Sequence, residues 1–279
     1  MPGYSVGDQQ EWPRYTVGIV VPDLTVIVTE VLNSETPGSA AALQMVARSH
    51  AGKVRPNNED SIGFLAHTGS AVLADGMGGL NAGEVASHQA VELVLKGLGA
   101  GLGMQQVIED ANRAIYTLSQ TDPSLNNMGT TLVALQLIGD VVWLGNVGDS
   151  RIYRHRCGEL VQLTRDHSVV QQLVDGGVMT PAEARSAPNR NIITRALGIE
   201  SEVEVQVLQD IPQAEDVYML CSDGVTDMLD PVALDNLFKA HKTPQRLLDA
   251  IVDAANEAGG VDNISAILVA FPHAEKQDG

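Results

Sequence analysis

Short apolar runs joined by tight turns most strongly limit the fold of this sequence. Turns at Gly139-Asp140 and Cys157-Gly158 separate two pairs of such runs. Two-residue connections join antiparallel strands, whereas parallel strands need a crossover of a dozen or more residues. Antiparallel pairing is therefore predicted. The strand-like runs after residue 42 are LQMVARS, DSIGFLAH, SAVLAD, GTTLVALQLIG, DVVWLGNVGDSRIYRH, ELVQLT, SEVEVQVLQ, DVYMLCSDG and ISAILVAF.

Helical periodicity appears in two pairs of segments. Residues 83–97 and 104–121 each place apolar side chains on one broad face, and residues 231–240 and 243–259 are also helical in pattern. No alternation of strand and helix accompanies a glycine-rich phosphate loop. The pattern predicts antiparallel sheets covered by helices.

The chain divides into three parts. Residues 1–42 are interpreted as an N-terminal extension, either flexible or forming an added edge hairpin from TVGIVV and LTVIVTEV, with docking or targeting as an alternative role. Residues 43–273 form the main domain, and 274–279 a tail. The apolar stretch at 16–32 is interrupted by Pro22-Asp23, so no membrane span is expected.

The composition restricts partners and compartment. Thirty-five acidic residues against 17 basic ones give a formal net charge of −18, which disfavours binding to nucleic-acid phosphates. The two cysteines, Cys157 and Cys221, have no zinc-site spacing and suggest no disulfide framework. The start of the chain lacks the basic residues of a signal peptide. We therefore expect a cytoplasmic protein.

Acidic residues recur where the apolar runs begin or end. Each could be a turn or cap residue by itself. Several ionised carboxylates sharing a small volume would need a cation, and oxygen ligands without His or Cys favour Mg²⁺ or Mn²⁺. A glycine after Asp75 would let the Gly76 carbonyl approach the same ion. The acids are Glu59, Asp60, Asp75, Asp149, Asp223, Asp227 and Asp262.

Seven motifs occur in a fixed order across about residues 43–271. Together they resemble the motif series of the metal-dependent Ser/Thr protein phosphatases (the PPM or type 2C family) in its bacterial form. The resemblance implies an α+β fold, a four-layer α/β/β/α sandwich of two mainly antiparallel sheets flanked by helix pairs. The motifs lie at Arg55–Asp60, Ala74–Gly79, Gly83–Ser87, Gly129–Thr131, Gly148–Arg151, Ser222–Asp227 and Asp262–Ser265.

The resemblance also implies a binuclear Mn²⁺ or Mg²⁺ site. Asp75 would bridge two ions, the Gly76 carbonyl would bind one of them, and Asp223 and Asp262 would bind the other. Asp60 would contribute directly or through water. Because neighbouring strand residues point to opposite faces, only one of Glu59 and Asp60 is expected to face the metals, and Asp60 is preferred.

Further residues carry roles implied by the same resemblance. Asp149 would hold a third, weaker ion, with Asp227 a candidate for the same region or a helix cap. Arg55 would bind the substrate phosphate, because its planar fork matches two phosphate oxygens. Residues 165–198 correspond to the family's flap, in which Arg190, Asn191 and Arg195 are candidate contacts to a phosphopeptide.

The implied reaction is hydrolysis of phosphoserine and phosphothreonine by direct attack of a metal-bridging hydroxide. Arg55 and Asp75 would be the catalytic residues, and a bacterial Ser/Thr kinase the functional counterpart of a monomeric enzyme. Met77 and Leu80 stand where relatives carry histidines, which leaves the proton donor open between water, His50 and His167. The alternative is a catalytically weak or inactive regulatory module on the same fold.

Overall fold

The structure, a computed structural model, describes residues 17–19, 25–31, 42–78 and 82–272. Leu80, the tail at 274–279 and most of the predicted extension lie outside these ranges. The strands of the described part are β1 (Val17–Ile19), β2 (Thr25–Val31), β3 (Ala42–His50), β4 (Asp60–Leu65), β5 (Ser70–Met77), β6 (Gly129–Thr130), β7 (Leu132–Ile138), β8 (Val141–Val147), β9 (Arg151–Arg156), β10 (Glu159–Gln162), β11 (Gln206–Asp210), β12 (Val217–Cys221) and β13 (Ile264–Ala270).

These strands form two antiparallel sheets. The first sheet has the order β1-β4-β5-β7-β8-β11, with β6 paired to the end of β5. The second has the order β10-β9-β12-β13-β3-β2. The predicted hairpins at Gly139-Asp140 and Cys157-Gly158 join β7 to β8 and β9 to β10, so the turn pattern identified both correctly.

Helices cover the outer face of each sheet. The helices of the described part are α1 (Ala82–Gly99), α2 (Met104–Thr121), α3 (Val169–Asp175), α4 (Pro181–Ser186), α5 (Asp223–Thr226), α6 (Pro231–Ala240) and α7 (Pro244–Glu257). Of these, α3 and α4 pack in a small apolar cluster of their own. One apolar cluster joins α1 and α2 to the first sheet, a second lies between the sheets, and a third joins α6 and α7 to the second sheet. The predicted four-layer α/β/β/α sandwich is confirmed. None of the helices in the described part of the chain is long and apolar enough to cross a membrane.

Two segments differ from the sequence-based expectation. The run at 140–155 is two strands, because the chain leaves the first sheet after β8 and enters the second with β9. The two early strands do not form the expected hairpin: β1 pairs with β4 in the first sheet, and β2 pairs with β3 in the second. The apolar alternation identified both as strands but could not identify their partners. The boundary at residue 42 stays a prediction.

The layer between the sheets changes character along the strands. Alternate residues face this layer, and through most of its length they are apolar, as in Ile62, Phe64 and Leu73. At one end the same alternation continues with polar residues that are buried or open only to the adjoining cleft. They are Ser49, Asp60, Asp75, Thr131, Ser222 and Ser265. Because strands of both sheets follow this pattern, their inward-facing polar residues meet at one end of the layer between the sheets.

The opposite end of the sandwich is closed by ion pairs. Arg154 of β9 binds the carboxylate of Asp210 on β11 at 2.8 and 2.9 Å, which links the two sheets. Arg156 binds Asp216 through two bonds of 2.8 and 2.6 Å, and the Asp216 side chain is 0% exposed. A buried carboxylate that is paired with a guanidinium is costly to leave unpaired, so the acids at this end depend on counter-charges built into the fold.

We predict that Asp216→Ala lowers the free energy of unfolding by about 3 kcal/mol, because it leaves the Arg156 guanidinium without its buried partner. Asp253→Ala is the control, since Asp253 pairs with Arg48 but is 59% exposed, and its loss should cost under about 1 kcal/mol. Urea denaturation followed by circular dichroism measures both. Equal losses in the two variants would contradict this account of the far end.

Candidate metal centre

The polar end of the sandwich opens into a cleft of about 530 Å³. Asp60 and Asp75 are direct partners in the pairing of β4 with β5. Asp149 lies in the link between β8 and β9, Asp223 begins α5 immediately after β12, and Asp262 precedes β13. Different strands therefore deliver the predicted acids to one place. The residues that line the cleft include Arg55, Glu59, Asp75, Gly76, Met77, Asp149, Asn191, Asp223 and Asp262.

The acids are held in an environment that disfavours their charged forms. Burial, followed by repulsion from Asp60, raises the pKa of Asp75 well above its usual range. The pKa of Asp223 is also well above its usual range, owing to burial and then to Asp149. Burial raises the pKa of Asp60 to about 6, although hydrogen bonds from Ser265 and Ser222 oppose the shift. Added positive charge would therefore stabilise the ionised forms of these carboxyls.

Asp149 completes the electrostatic pattern. Burial, and then the charge of Asp166, raises the pKa of Asp149 to about 7. The Asp60 carboxyl also has a buried oxygen, Oδ1, without a hydrogen-bond partner. Unpaired buried oxygens and mutually repelling carboxylates are what a bound cation would satisfy. The residues present thus fit divalent cations bound through oxygen.

The spacing of the acids indicates how such cations would be held. Among residues 42–78 and 82–272, no three His, Cys, Asp or Glu side chains are close enough to enclose one ion. Mg²⁺ usually keeps several waters and takes only one or two protein carboxylates, and Mn²⁺ accepts the same oxygen ligands. The open arrangement suits hydrated ions of this kind better than an ion fully enclosed by protein.

Glycine at position 76 is required by close packing. A Cβ atom there would lie 2.2 Å from the Gly83 carbonyl oxygen and 2.6 Å from that of Glu59. The preceding peptide bond is fixed on both sides: Gly76 N–H donates to the Glu59 carbonyl at 3.1 Å, and the Asp75 carbonyl accepts from Thr131 N–H at 2.9 Å. The local backbone is thereby held in one orientation, as a carbonyl ligand at Gly76 requires.

Glu59 and Asp60 occupy different parts of the site. Asp60 lies beneath the cleft, where it accepts a hydrogen bond from Ser222 Oγ at 2.9 Å. Glu59 lines the cleft itself, and burial raises the pKa of its carboxyl. The alternation between neighbours is as expected, but it leaves both carboxylates at the site, Asp60 beside Asp75 and Glu59 on the wall.

Arg55 stands at the rim of the cleft in an ion pair. Its Nη2 donates to Asp262 Oδ2 at 2.7 Å, and its side chain is 55% exposed. The hydrogen bond and the charge of Asp262 raise the pKa of the guanidinium. Arg55 therefore lies beside the acids, as predicted, and some N–H groups of its guanidinium face the solvent.

The three flap residues separate. Asn191 lines the cleft with the acids. Arg190 donates to Asp227 at 3.3 Å, and Asp227 lies at the end of α5 rather than capping the start of a helix. Arg195 pairs with Glu204 and lies outside the cleft. Of the three, the geometry brings Asn191 nearest to the acids.

No described residue that lines the cleft is a histidine. Met77 is there, as the sequence indicated, and Leu80 lies outside the described residues. His167 is buried, and its Nδ1 accepts from Gly148 N–H at 3.1 Å. Burial, and then the charge of Arg195, lowers its pKa to about 4. His167 is thus neutral at pH 7 and supports the turn that carries Asp149.

Three residues that support the acids received no role in the sequence interpretation. Thr131 Oγ1 accepts from Asp75 N–H at 3.1 Å and contacts Ser150 Oγ at 2.8 Å. Asn263 Oδ1 accepts from Glu59 N–H at 2.8 Å. Ser222 binds Asp60. Each lies inside one of the seven motifs, at Gly129–Thr131, Asp262–Ser265 or Ser222–Asp227. A search for polar residues next to the acids of these motifs would therefore have found them.

Comparison with known proteins identifies the family. The family described as Protein phosphatase 2C matches residues 47–268. The chain belongs to this family. It is 37% identical over 235 residues to the serine/threonine phosphatase stp of Listeria monocytogenes, covering 80% of this chain and 93% of that protein. It is 41% identical to the serine/threonine protein phosphatase PstP of Mycobacterium tuberculosis, covering 81% of this chain and 44% of that protein.

Solved structures agree with this assignment. The crystal structure of the Mycobacterium tuberculosis serine/threonine phosphatase PstP/Ppp has a TM-score of 0.76 and 36% identity, covering 83% of this chain and 99% of that one. A structure of the PstP catalytic domain in complex with 2 manganese ions has a TM-score of 0.72, 34% identity and the same two coverages. As a member of this metal-dependent family, the chain is a protein serine/threonine phosphatase, as its sequence predicts.

We predict that Asp149→Asn raises the melting temperature of the chelator-treated protein by roughly 5 °C at pH 8 and by much less at pH 5. The folded-state pKa of about 7 exceeds that of an unfolded aspartate, so this residue favours folding when protonated. That stability is present at low pH and is lost as the pH rises through 7. At pH 8 the substitution removes an unfavourable negative charge from the folded protein. At pH 5 the Asp149 carboxyl of the folded protein is already neutral, so the substitution gains less.

Differential scanning calorimetry of the two proteins side by side checks this, because the comparison at each pH cancels groups such as His167. An equal shift at both pH values would contradict the assigned cause.

Proposed function

We propose that the cleft binds two Mn²⁺ or Mg²⁺ ions and hydrolyses phosphoserine and phosphothreonine in proteins. The observation that carries this proposal is the convergence of carboxyls with raised pKa values on one cleft, where each destabilises the charge of its neighbours. In this assignment Asp75 would bridge the ions. The Gly76 carbonyl would bind one ion, and Asp223 and Asp262 would bind the other.

Asp60 and Asp149 have secondary roles in the same assignment. Asp60 contacts an ion directly or through water from beneath Asp75, and its buried Oδ1 supports that role. Asp149 holds a third, weaker ion, supported by its position on the cleft wall beside Asp223. Glu59 faces the same cleft and is available to orient water.

When bound, the ions would lower the pKa of a shared water and offset charge on the phosphoryl oxygens. The chain's own residues position the reaction. Thr130 and Thr131 fix the backbone of Asp75, which limits where its carboxylate can lie. Arg55 offers its solvent-facing N–H groups to the substrate phosphate at the rim. With no histidine on the described cleft wall, the leaving oxygen takes its proton from water or a carboxyl of the cleft.

The alternative is a weak or inactive regulatory module on the same fold. Such a module would gain nothing from burying together carboxyls that repel one another. Every acid implied by the resemblance is present and, except for the deeper Asp60 and for Asp227 at the end of α5, lines one cleft. We therefore favour the active enzyme.

We predict that Asp75→Asn and Asp223→Asn each reduce kcat for p-nitrophenyl phosphate with Mn²⁺ by at least about a hundredfold, because each removes a charged ligand. Asp253→Asn, on the exposed face of α7, should leave kcat unchanged. Steady-state kinetics measures all three. Full activity in either cleft variant would refute the metal assignment, and an inactive parent with every divalent ion would favour the regulatory module.

For Arg55 we predict a different kinetic signature. Arg55→Ala should raise KM for a phosphothreonine peptide by at least about tenfold, since it removes charged hydrogen bonds to the phosphate. Arg55→Lys should recover part of the loss, because a lysine keeps the charge but not the planar fork. Arg48→Ala is the control, as Arg48 also pairs with carboxylates but on α7. An unchanged KM in Arg55→Ala would rule out phosphate binding.

We also propose the cellular setting. A monomeric, cytoplasmic enzyme opposing a bacterial Ser/Thr kinase fits the bacterial relatives and the acidic composition. The domain at 43–273, with residues 165–198 as a flap beside the cleft, would be the catalytic unit, and residues 1–42 an extension. Comparison of phosphoproteomes with and without the gene would identify the substrates as sites whose phosphorylation rises without it, and additional loss of the kinase is expected to lower phosphorylation at the same sites.

A further inference from the structure

A buried asparagine on α2 makes contacts that neither metal binding nor the phosphate site explains. Asn112 is 1% exposed. Its Oδ1 accepts from Gly198 N–H at 2.8 Å, and its Nδ2 donates to the Glu200 carbonyl at 3.1 Å. Both ends of the amide are thus used on one short segment, residues 197–200, through which the chain leaves the flap. We call this the return segment.

The return segment is packed tightly against α2. Gly198 has φ +84°, and a Cβ atom there would lie 2.4 Å from Ile115 Cγ2 of the helix. Leu197 is fully buried. Because Gly198 has both a left-handed backbone and no free space, the segment has little room to move while Asn112 holds it.

The return segment in turn holds β6. Leu197 N–H donates to the Thr130 carbonyl at 2.8 Å, and Thr130 N–H donates to the Leu197 carbonyl at 3.1 Å. These reciprocal bonds fix Thr130 from the side opposite β5. On its other side Thr130 is the pairing partner of Gly76.

Thr130 completes the connection to the acids. Its Oγ1 donates to the Asp75 carbonyl at 2.9 Å. That carbonyl belongs to the peptide bond between Asp75 and Gly76, whose N–H is held by the Glu59 carbonyl. A hydrogen-bonded path therefore runs from Asn112 through residues 197–200 and Thr130 to the backbone of Asp75.

We propose that Asn112 is a positioning residue for the metal centre, which acts through the return segment and Thr130 on the Asp75–Gly76 backbone. This inference rests on the proposed function of that site. Removing the amide leaves the buried Gly198 N–H without its acceptor, so the return segment must move to find another. Thr130 moves with it, and the Asp75 carboxylate and Gly76 carbonyl lose their common orientation. Asn112 itself touches neither ion nor substrate.

The test compares two substitutions with a control on the same helix. Asn112→Leu keeps the branching and the number of heavy atoms of the side chain and removes both hydrogen bonds. Asn112→Asp keeps the acceptor for Gly198 N–H but loses the donor to Glu200. Ser119→Ala is the control, because Ser119 is 3% exposed, lies seven residues later on the same face and donates within α2, to the Tyr116 carbonyl.

Three quantities are measured on the full chain: the dissociation constant of Mn²⁺ by calorimetry, kcat and KM for p-nitrophenyl phosphate, and the melting temperature. We expect Asn112→Leu to weaken Mn²⁺ binding by about tenfold, the lower end of losses caused by removing support of a metal ligand. At saturating Mn²⁺ its kcat should fall while KM stays unchanged. Asn112→Asp should lose less affinity than Asn112→Leu, and Ser119→Ala should match the parent.

A purely structural role predicts a different result. If Asn112→Leu only lowers the melting temperature and binds Mn²⁺ as tightly as the parent, the inference is overturned. If Asn112→Leu does not fold, Asn112→Asp decides: parental affinity, or failure to fold as well, assigns the side chain to folding alone. A parent that binds no Mn²⁺ would instead overturn the proposed metal centre, and with it this inference.

Discussion

Mutual repulsion among acids at one end of the inter-sheet layer is the constraint on which the rest of the structure depends. Asp60 and Asp75 face each other across β4 and β5, with Asp60 buried and Asp75 open only to the cleft. Asp60 accepts a hydrogen bond from the neutral hydroxyl of Ser222. Neutral donors orient a carboxylate without cancelling its charge, so the site remains able to attract divalent cations.

The two ends of the sandwich divide stability from chemistry. At the far end Arg154 and Arg156 neutralise Asp210 and Asp216 in closed pairs. At the cleft the acidic residues outnumber the basic residues that line it. Arg55, at the exposed rim, forms an ion pair with Asp262. The same residue types therefore have opposite effects, because one set has its counter-charges built into the fold. The three apolar clusters and the ion pairs of the far end stabilise the sandwich, and this stability offsets the unfavourable interactions at the cleft.

Much of the fold could be predicted from the spacing of the apolar residues and from the turn residues. α2 begins and ends where its apolar stripe does, and tight turns marked two hairpins. Partners across sequence distance could not be predicted in this way. The crossing from one sheet to the other at Gly148–Ser150 has no periodic signal, since both flanking runs alternate alike. For the same reason the sequence could not place β1 and β2 on different sheets.

The site shows the same limit. Motif order indicated which acids converge, and strand alternation separated Glu59 from Asp60. It could not indicate that Glu59 reaches the cleft wall as well, because that depends on where α1 and Asn263 lie. The pairing of Arg55 with Asp262 joins residues 207 positions apart. Asn112 carries no motif at all, and only its contacts in three dimensions connect it to the acids.

Anomalous diffraction from crystals grown with saturating Mn²⁺ would show directly whether the cleft binds the ions. Two strong peaks are expected in the cleft. One should lie near the Asp75 carboxylate and the Gly76 carbonyl, and the other between Asp75 and the carboxylates of Asp223 and Asp262, bound partly through water. A cleft without anomalous density, or ions bound only to acids elsewhere on the surface, would contradict the proposed metal centre.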